Sequence, residues 1–274
     1  MIKKTLLYFI VIINIGTLSF LACQTNEIGI FIGESIFHGD VGKNINSISK
    51  ETGVSWGFTY KRNFDYYFSI CLGLKHGEIF ASDQNSHDPF KQNRNLSFKS
   101  NITEFSLISE LNFRPYLSRN KDVFYTPYLF AGLSKFLFNP RGRDSSGIWH
   151  NLMPLGTEGQ QSGFFMGRPP YKLNGIAIPL GFGYKIRVLD FLTLIAEIGL
   201  RVTFTDYLDD VSTTYVDDIY LDDLASELAD KSSTGQYEGF QRGNPHNKDK
   251  FGFFGISIFY SIKDPKKECN HITL

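Results

Sequence analysis

Between residues 54 and 75 the chain alternates large apolar side chains with small or charged ones, twice in succession. Val54, Trp56, Phe58 and Tyr60 interleave with Ser55, Gly57, Thr59 and Lys61; Phe68, Ile70, Leu72 and Leu74 interleave with Ser69, Cys71, Gly73 and Lys75. Successive strand residues point to opposite faces, so one face of this hairpin is an apolar and aromatic wall and the other carries small residues and two lysines. A transmembrane β-barrel requires such a pattern, with hydrocarbon outside and a polar lumen inside. A soluble lipocalin-like barrel or sandwich would turn the same wall inward and leave the lysines in water. Alternation alone is symmetric between the two; the aromatic content of the wall and the lengths of the connections decide for the membrane.

Six further segments repeat the pattern, at 26–37, 96–114, 125–138, 175–187, 192–204 and 251–262. The total is about eight strands, most of them long enough to cross a bilayer with the usual tilt, which takes about 9 to 11 residues. The connections alternate in length. Those at 37–53, 80–95, 139–174 and 205–250 are long, whereas those at 62–65, 115–123 and 188–191 are short. Outer-membrane barrels combine long extracellular loops with short periplasmic turns, which places both termini in the periplasm. The fold class predicted is therefore all-β: a transmembrane antiparallel β-barrel in the cell outer membrane, against outer-membrane lipid. An eight-stranded barrel is just filled by its own side chains. The lumen-facing positions hold Lys61, Lys75, Glu104, Glu110, Arg114, Lys185, Arg187, Glu197 and Arg201. Both signs are present on this face, so these residues are expected to pair internally and to leave no open pore.

Lys3 and Lys4 precede an apolar run at 5–22 interrupted by Asn14, Gly16, Thr17 and Ser19, which reads as a signal peptide over residues 1–23. A single-span anchor is the weaker reading, because the run only just reaches the length of a spanning helix. Ala22 and Cys23 permit cleavage before Gln24, although the same stretch also resembles a lipoprotein signal with Cys23 as the acceptor. The barrel then occupies residues 24–274 and ends in a short periplasmic tail. The full chain has no net charge, and loss of the leader removes two lysines. A slightly acidic chain offers no basic footprint for nucleic acid. Cys71 and Cys269 suggest no disulfide framework.

The most acidic stretch carries Asp206, Asp209, Asp210, Asp217, Asp218, Asp222 and Asp223. It lacks the ordered ligand spacing and central glycine of an EF-hand, so a solvated loop is expected rather than a calcium site. Arg141 and Arg143 of the preceding long loop could pair with these aspartates. Six scattered histidines with no HExxH arrangement, and no GxSxG elbow, leave no catalytic, cofactor or metal residue to assign. Met153, Met166, Phe164 and Phe165 could form a sticky contact surface or tuck over the barrel mouth.

Six stretches carry a more specific resemblance: NEIGIFIG at 26–33, GDVG at 39–42, TPYLFAG at 126–132, LGTEGQ at 155–160, TDYLDDVSTTYVD at 205–217 and QRGNP at 241–245. Together they resemble the PorG family of the type IX secretion system across nearly the whole mature chain. The resemblance implies an outer-membrane β-barrel of Bacteroidetes-type bacteria, without enzymatic activity. It also implies association with a periplasmic ring of the PorK lipoprotein and PorN, in a machine that exports cargo and supports gliding motility or surface attachment. Cys23 departs from the alanine expected before Gln24. A ring beneath the membrane can be reached only from the short turns and the tail, which makes Arg119, Lys121, Lys266 and Lys267 the candidate partner-binding residues. Other classes are a stand-alone adhesin or serum-protection barrel acting through its loops, and a lipid-modifying barrel enzyme.

Overall fold

The computed structural model describes residues 25–42, 51–117, 123–235 and 238–262. The expected signal peptide and the C-terminal tail lie outside these residues. Eight long strands form the barrel: β1 (Thr25–His38), β2 (Thr52–Asn63), β3 (Phe68–Ser82), β4 (Ser97–Asn112), β5 (Tyr125–Leu137), β8 (Asn174–Leu189), β9 (Leu192–Thr203) and β10 (Lys250–Ile262). Each pairs antiparallel with its neighbours in the chain, and β1 pairs with β10 from Asn26 opposite Ile262 to His38 opposite Lys250. The ladder between β3 and β4 runs from Phe68 opposite Leu111 to Ser82 opposite Ser97. The sheet is thus a closed eight-stranded up-and-down barrel with no free edge among its spanning strands.

The alternation resolves in the direction a membrane requires. Val54 is 78% exposed and Ile32 is 67% exposed, while Ser55 and Phe31 between such positions are buried. Cross-strand rows continue the wall: Ile30 stands opposite Phe58 of β2 and Ile258 of β10. Tyr60, Phe113, Phe124, Tyr184, Phe191 and Tyr260 are exposed aromatic groups toward the short-turn end, in keeping with the interfacial girdles of spanning barrels. Toward the long-loop end the outward positions turn polar at Glu34, His76, Glu78, Asn101 and Asn174.

Strands of 12 to 16 residues exceed what the bilayer needs, so their upper parts project beyond the belt. There β4 also pairs with a short strand β6 (Pro140–Arg143), which pairs with β7 (Trp149–Asn151). Two short helices, α1 (Pro89–Arg94) and α2 (Asp223–Ala229), lie in the second and fourth long connections. None of these was expected from the alternation. Their local signals are nevertheless ordinary: Asp88 caps α1 by accepting from the Phe90 N–H with Pro89 at the first helical position, and Asp222 caps α2 by accepting from the Ala225 N–H.

The lumen carries more than small and charged groups. Phe31, Tyr128, Phe130, Phe136, Phe251, Phe253 and Phe259 all point inward and are buried, and glycines on facing strands make room for them. Gly181 shows the tightness: a Cβ there would run into the Phe130 ring and the Ile198 carbonyl. A lumen-facing position is therefore not automatically a tolerant one.

Leu180→Arg, which turns a charge toward hydrocarbon, is expected to cost about 2 to 4 kcal/mol at the membrane midplane. Gly181→Ser is expected to fail as well, by overpacking against Phe130, at a cost of about 1 to 3 kcal/mol. Urea unfolding in lipid vesicles, read by heat-modifiable gel mobility, should show both losses with Leu180→Ile near wild type. Wild-type behaviour of Gly181→Ser would contradict the packing.

Candidate functional site

Two buried polar networks dominate the interior, one inside the barrel and one in the cap built by the long connections. In the lumen, strand alternation delivers Lys61, Glu110 and Lys185 to one level. Lys185 Nζ donates to Glu110 Oε2 at 2.6 Å and to Asn112 Oδ1 at 2.8 Å, and Cys71 Sγ donates to Glu110 Oε1 at 3.1 Å. Lys61 Nζ lies 3.0 Å from the same Oε2, an ion pair without hydrogen-bond alignment. One level up, Lys75 pairs with Glu197, which also accepts from the Tyr128 hydroxyl at 3.1 Å. Arg201 then grips Glu104 through two parallel bonds of 2.9 and 3.0 Å.

Every one of these cations also sits over an aromatic ring: Lys61 over Phe259 at 4.1 Å, Lys75 over Phe31 at 4.2 Å, Lys185 over Tyr128 at 4.4 Å and Arg201 over Phe253 at 4.8 Å. A desolvated cation between a carboxylate and a ring face is compensated from two sides. The lumen between Cys71, Glu110, Phe130 and Phe259 retains a cavity of about 20 Å³, room for about one water. Seven of the nine expected lumen charges are enclosed in this way; Arg114 and Arg187 lie half-buried toward the short-turn end. Glu27, buried beside Asn63, joins the set although the sequence reading passed over it.

The cap network is assembled from the loop stretches that stood out in the sequence. Glu158 of LGTEGQ and Arg242 of QRGNP are both buried and bond at 3.0 Å. Glu158 accepts further from the Ser212 and Thr213 N–H groups at 2.9 and 3.0 Å and from the Thr213 hydroxyl at 2.7 Å. Arg242 also donates to the carbonyls of Asp210, at 2.6 Å, and Ala229, at 3.1 Å. Asp210 accepts from the Tyr171 hydroxyl at 2.6 Å and from the Thr157 hydroxyl. Asp209 accepts from the Val41 N–H of GDVG and the Val211 N–H, each at 3.0 Å. Arg94 embraces Asp83 with bonds of 2.7 and 2.9 Å and donates to the carbonyls of Asp40 and Arg242. All four long connections are thereby tied together, and Val41, Leu208 and Val211 continue the apolar core of Phe31, Phe136, Phe251 and Phe253 up from the lumen.

These contacts correct two expectations. Asp206, Asp209 and Asp210 are buried and bonded, not part of a solvated loop: Asp209 and Asp210 meet donors from other connections, the Val41 N–H and the Tyr171 hydroxyl, and Asp206 accepts from the Ser212 hydroxyl of its own. Arg141 and Arg143 do not pair with them: Arg141 reaches Glu78 at 3.8 Å and Arg143 donates to the Gly147 carbonyl, while Arg242 takes the aspartate. The signal that could have singled out Arg242 is its place in a glycine- and proline-flanked run, which pins a backbone turn. Arg119, Lys121, Lys266 and Lys267 lie outside the described residues. Among the described residues no three His, Cys, Asp or Glu side chains gather as a metal cage. The arrangement is suited to holding loops in place.

Burial pushes the Asp206 carboxyl up to about 6 against the bond from Ser212, and it holds Asp249 well above the usual range with Asp209 adding to the effect. An acid whose folded value is raised contributes stability at low pH and loses it as pH rises from its unfolded value, about 3.9, through the folded one. The cap should therefore resist protease better at pH 5 than at pH 7.5, and Asp206→Asn should raise resistance at pH 7.5 and flatten that rise. Limited proteolysis of residues 204–249 reads both; a profile that falls toward pH 5 would refute the sign.

Breaking a buried pair from one side costs about 3 to 5 kcal/mol. Glu110→Gln, which strands Lys61 and Lys185, is expected to lower urea resistance of the whole barrel. Glu158→Gln, which strands Arg242, should open the cap to protease while leaving the barrel heat-modifiable. Equal behaviour of the two variants would mean that cap and lumen are not separable.

Set beside solved structures, the chain is similar to several small barrels. Ail, the attachment invasion locus protein of Yersinia pestis, crystallised with the heparin analogue sucrose octasulfate, is 8% identical with a TM-score of 0.41, covering 87% of this chain and 99% of that one. The N-terminal β-barrel domain of Pseudomonas aeruginosa OprF is 12% identical with a TM-score of 0.37, covering 88% and 100%. Neisserial surface protein A is 10% identical with a TM-score of 0.38, covering 86% and 96%. No curated protein matches the sequence. Residues 3–143 match the family described as Domain of unknown function (DUF6089). That match takes in more than half of the chain, through β5 to the end of β6, and the protein belongs to the DUF6089 family.

Proposed function

We propose that this chain is a non-enzymatic outer-membrane component of a type IX protein secretion machine, associated from below with a periplasmic ring of PorK and PorN. The observation that carries the reading is the convergence of the resembling stretches. Residues from 39–42, 155–160, 205–217 and 241–245, up to about two hundred positions apart, meet in the single network around Glu158, Asp209 and Arg242. Strings scattered along a sequence by chance have no reason to build one folded unit. That four of the six stretches resembling the PorG family share one cap supports the reading.

The same burial bears on where a ring would bind. Glu158, Asp210 and Arg242 are buried and spent on each other, and Asp209 on the Val41 and Val211 N–H groups, which leaves them unavailable to a partner. In an outer-membrane orientation with the long connections outside, the ring would meet the turn around Arg119 and Lys121 and the tail with Lys266 and Lys267. Charge reversal at an interface rim disturbs association and partner choice more than folding.

Arg119→Glu combined with Lys121→Glu, and separately Lys266→Glu with Lys267→Glu, are expected to reduce recovery of PorK with the affinity-tagged barrel while heat-modifiable mobility persists. Thiol labelling of intact cells at Ser145→Cys and Ser232→Cys, compared with Asn120→Cys and Lys266→Cys, checks the orientation in the same strains. Wild-type recovery of PorK after all four reversals and deletion of the tail would reject docking through these segments. Surface labelling of the second pair alone would invert the topology.

A further inference from the structure

The third and fourth long connections present a surface that the buried networks do not use. Phe164 is 72% exposed, Ile219 is 77% exposed and Met166 is fully exposed. Phe164 and Phe165 approach Tyr220 at 4.9 and 5.2 Å between ring centroids, so the two loops form one apolar face and not separate tips. The face is anchored from behind: Arg168 lies over the Phe165 ring at 5.2 Å and donates to the Thr214 hydroxyl and carbonyl and to the Glu158 carbonyl. Aromatic and methionine groups that stand proud of the surface are costly to leave in water and are the groups that carry binding energy when covered.

Carboxylates border it. Asp217 and Asp218 flank Ile219 and Tyr220 in the chain, and Asp222 and Asp223 follow at the start of α2. Asp217 and Asp222 accept from backbone N–H groups and Asp218 from the Ser226 hydroxyl. Among the described residues none of these four reaches a cation within ion-pair distance. The Arg168 guanidinium beside the face donates to Thr214 and Glu158. The rim is therefore net negative around an apolar centre. An anionic lipid headgroup would be repelled by it, whereas a polypeptide with alternating cationic and apolar side chains would match both the centre and the rim.

We propose that Phe164, Met166, Ile219 and Tyr220, with Asp217, Asp218, Asp222 and Asp223 around them, form a docking surface for a cationic, apolar polypeptide segment of another protein. The proposal does not rest on the secretion reading, and either can fail without the other. The probe is a fluorescent peptide of alternating lysine and leucine, with its glutamate and leucine counterpart as control, added to the full chain in lipid nanodiscs and to nanodiscs without protein. Saturable binding of the lysine peptide above the empty-disc level, weakened by salt, is expected. Phe164→Ser with Met166→Ser should weaken it by about tenfold. Asp218→Asn with Asp222→Asn and Asp223→Asn should weaken it and blunt the salt dependence. Both sets alter exposed side chains, and protease resistance of the cap checks that the loops remain folded. The proposal is overturned if the glutamate peptide binds as well, if neither set of substitutions changes binding of the lysine peptide, or if binding to the protein does not exceed that to empty nanodiscs.

Discussion

Every backbone N–H and C=O exposed to hydrocarbon must find its partner within the protein, and the ladder between β1 and β10, the first and last strands, is where this chain closes to meet that demand. Without that pairing the sheet would be an open ribbon with two edges inside the membrane. With it, the barrel closes at eight strands and its interior has a fixed and small cross-section. The remaining features of the lumen answer to that confinement. Large rings can point inward only where a facing strand offers glycine, as Phe259 does against Gly29 and Tyr128 against Gly183. Cations can be enclosed only when a carboxylate and a ring face replace their water, as for Lys75 between Glu197 and Phe31.

The cap is an extension of the same logic above the membrane. Its apolar residues Val41, Leu208 and Val211 continue the column of inward phenylalanines, so the long connections rest on a core that the strands begin. Its polar residues are arranged as mutual restraints. Arg242 ties residues 155–160 to residues 210 and 229, and Arg94 ties residue 83 to residues 40 and 242. Buried ion pairs add little net stability over apolar packing, but they penalise any arrangement that separates the partners. Connections this long would otherwise sample many conformations, and pairs of this kind select one.

The barrel was legible because its signal is local and repeated. Val54, Trp56, Phe58 and Tyr60 alternate against Ser55, Gly57, Thr59 and Lys61, a period that only a strand converts into two faces, and seven other segments agree with it. The enclosed charges followed by parity, since Lys61, Glu110 and Lys185 fall at inward positions. The inward phenylalanines were not legible. Phe31 and Phe253 look like members of an oily wall until the register shows that they occupy the opposite parity, next to glycines. The cap was misread for a related reason. Asp209 and Asp210 resemble any solvated acidic loop when their donors, the Val41 N–H and the Tyr171 hydroxyl, are far away in the chain.

The sequence by itself determined the strands, their faces, their order and the asymmetry of their connections, because side-chain parity and connection length are properties of neighbouring residues. It also marked the loop stretches that carry the family resemblance. Only the tertiary structure decided what those stretches do. Glu158, Asp210 and Arg242 acquire their roles from contacts that span tens of residues, and burial converts ordinary charged residues into partners with no alternative. The exposed face of Phe164, Met166 and Ile219 was open to two readings in the sequence for the same reason. Whether an aromatic loop residue lies over the barrel mouth or stands in water depends on what the other loop has already covered, and no local pattern contains that information.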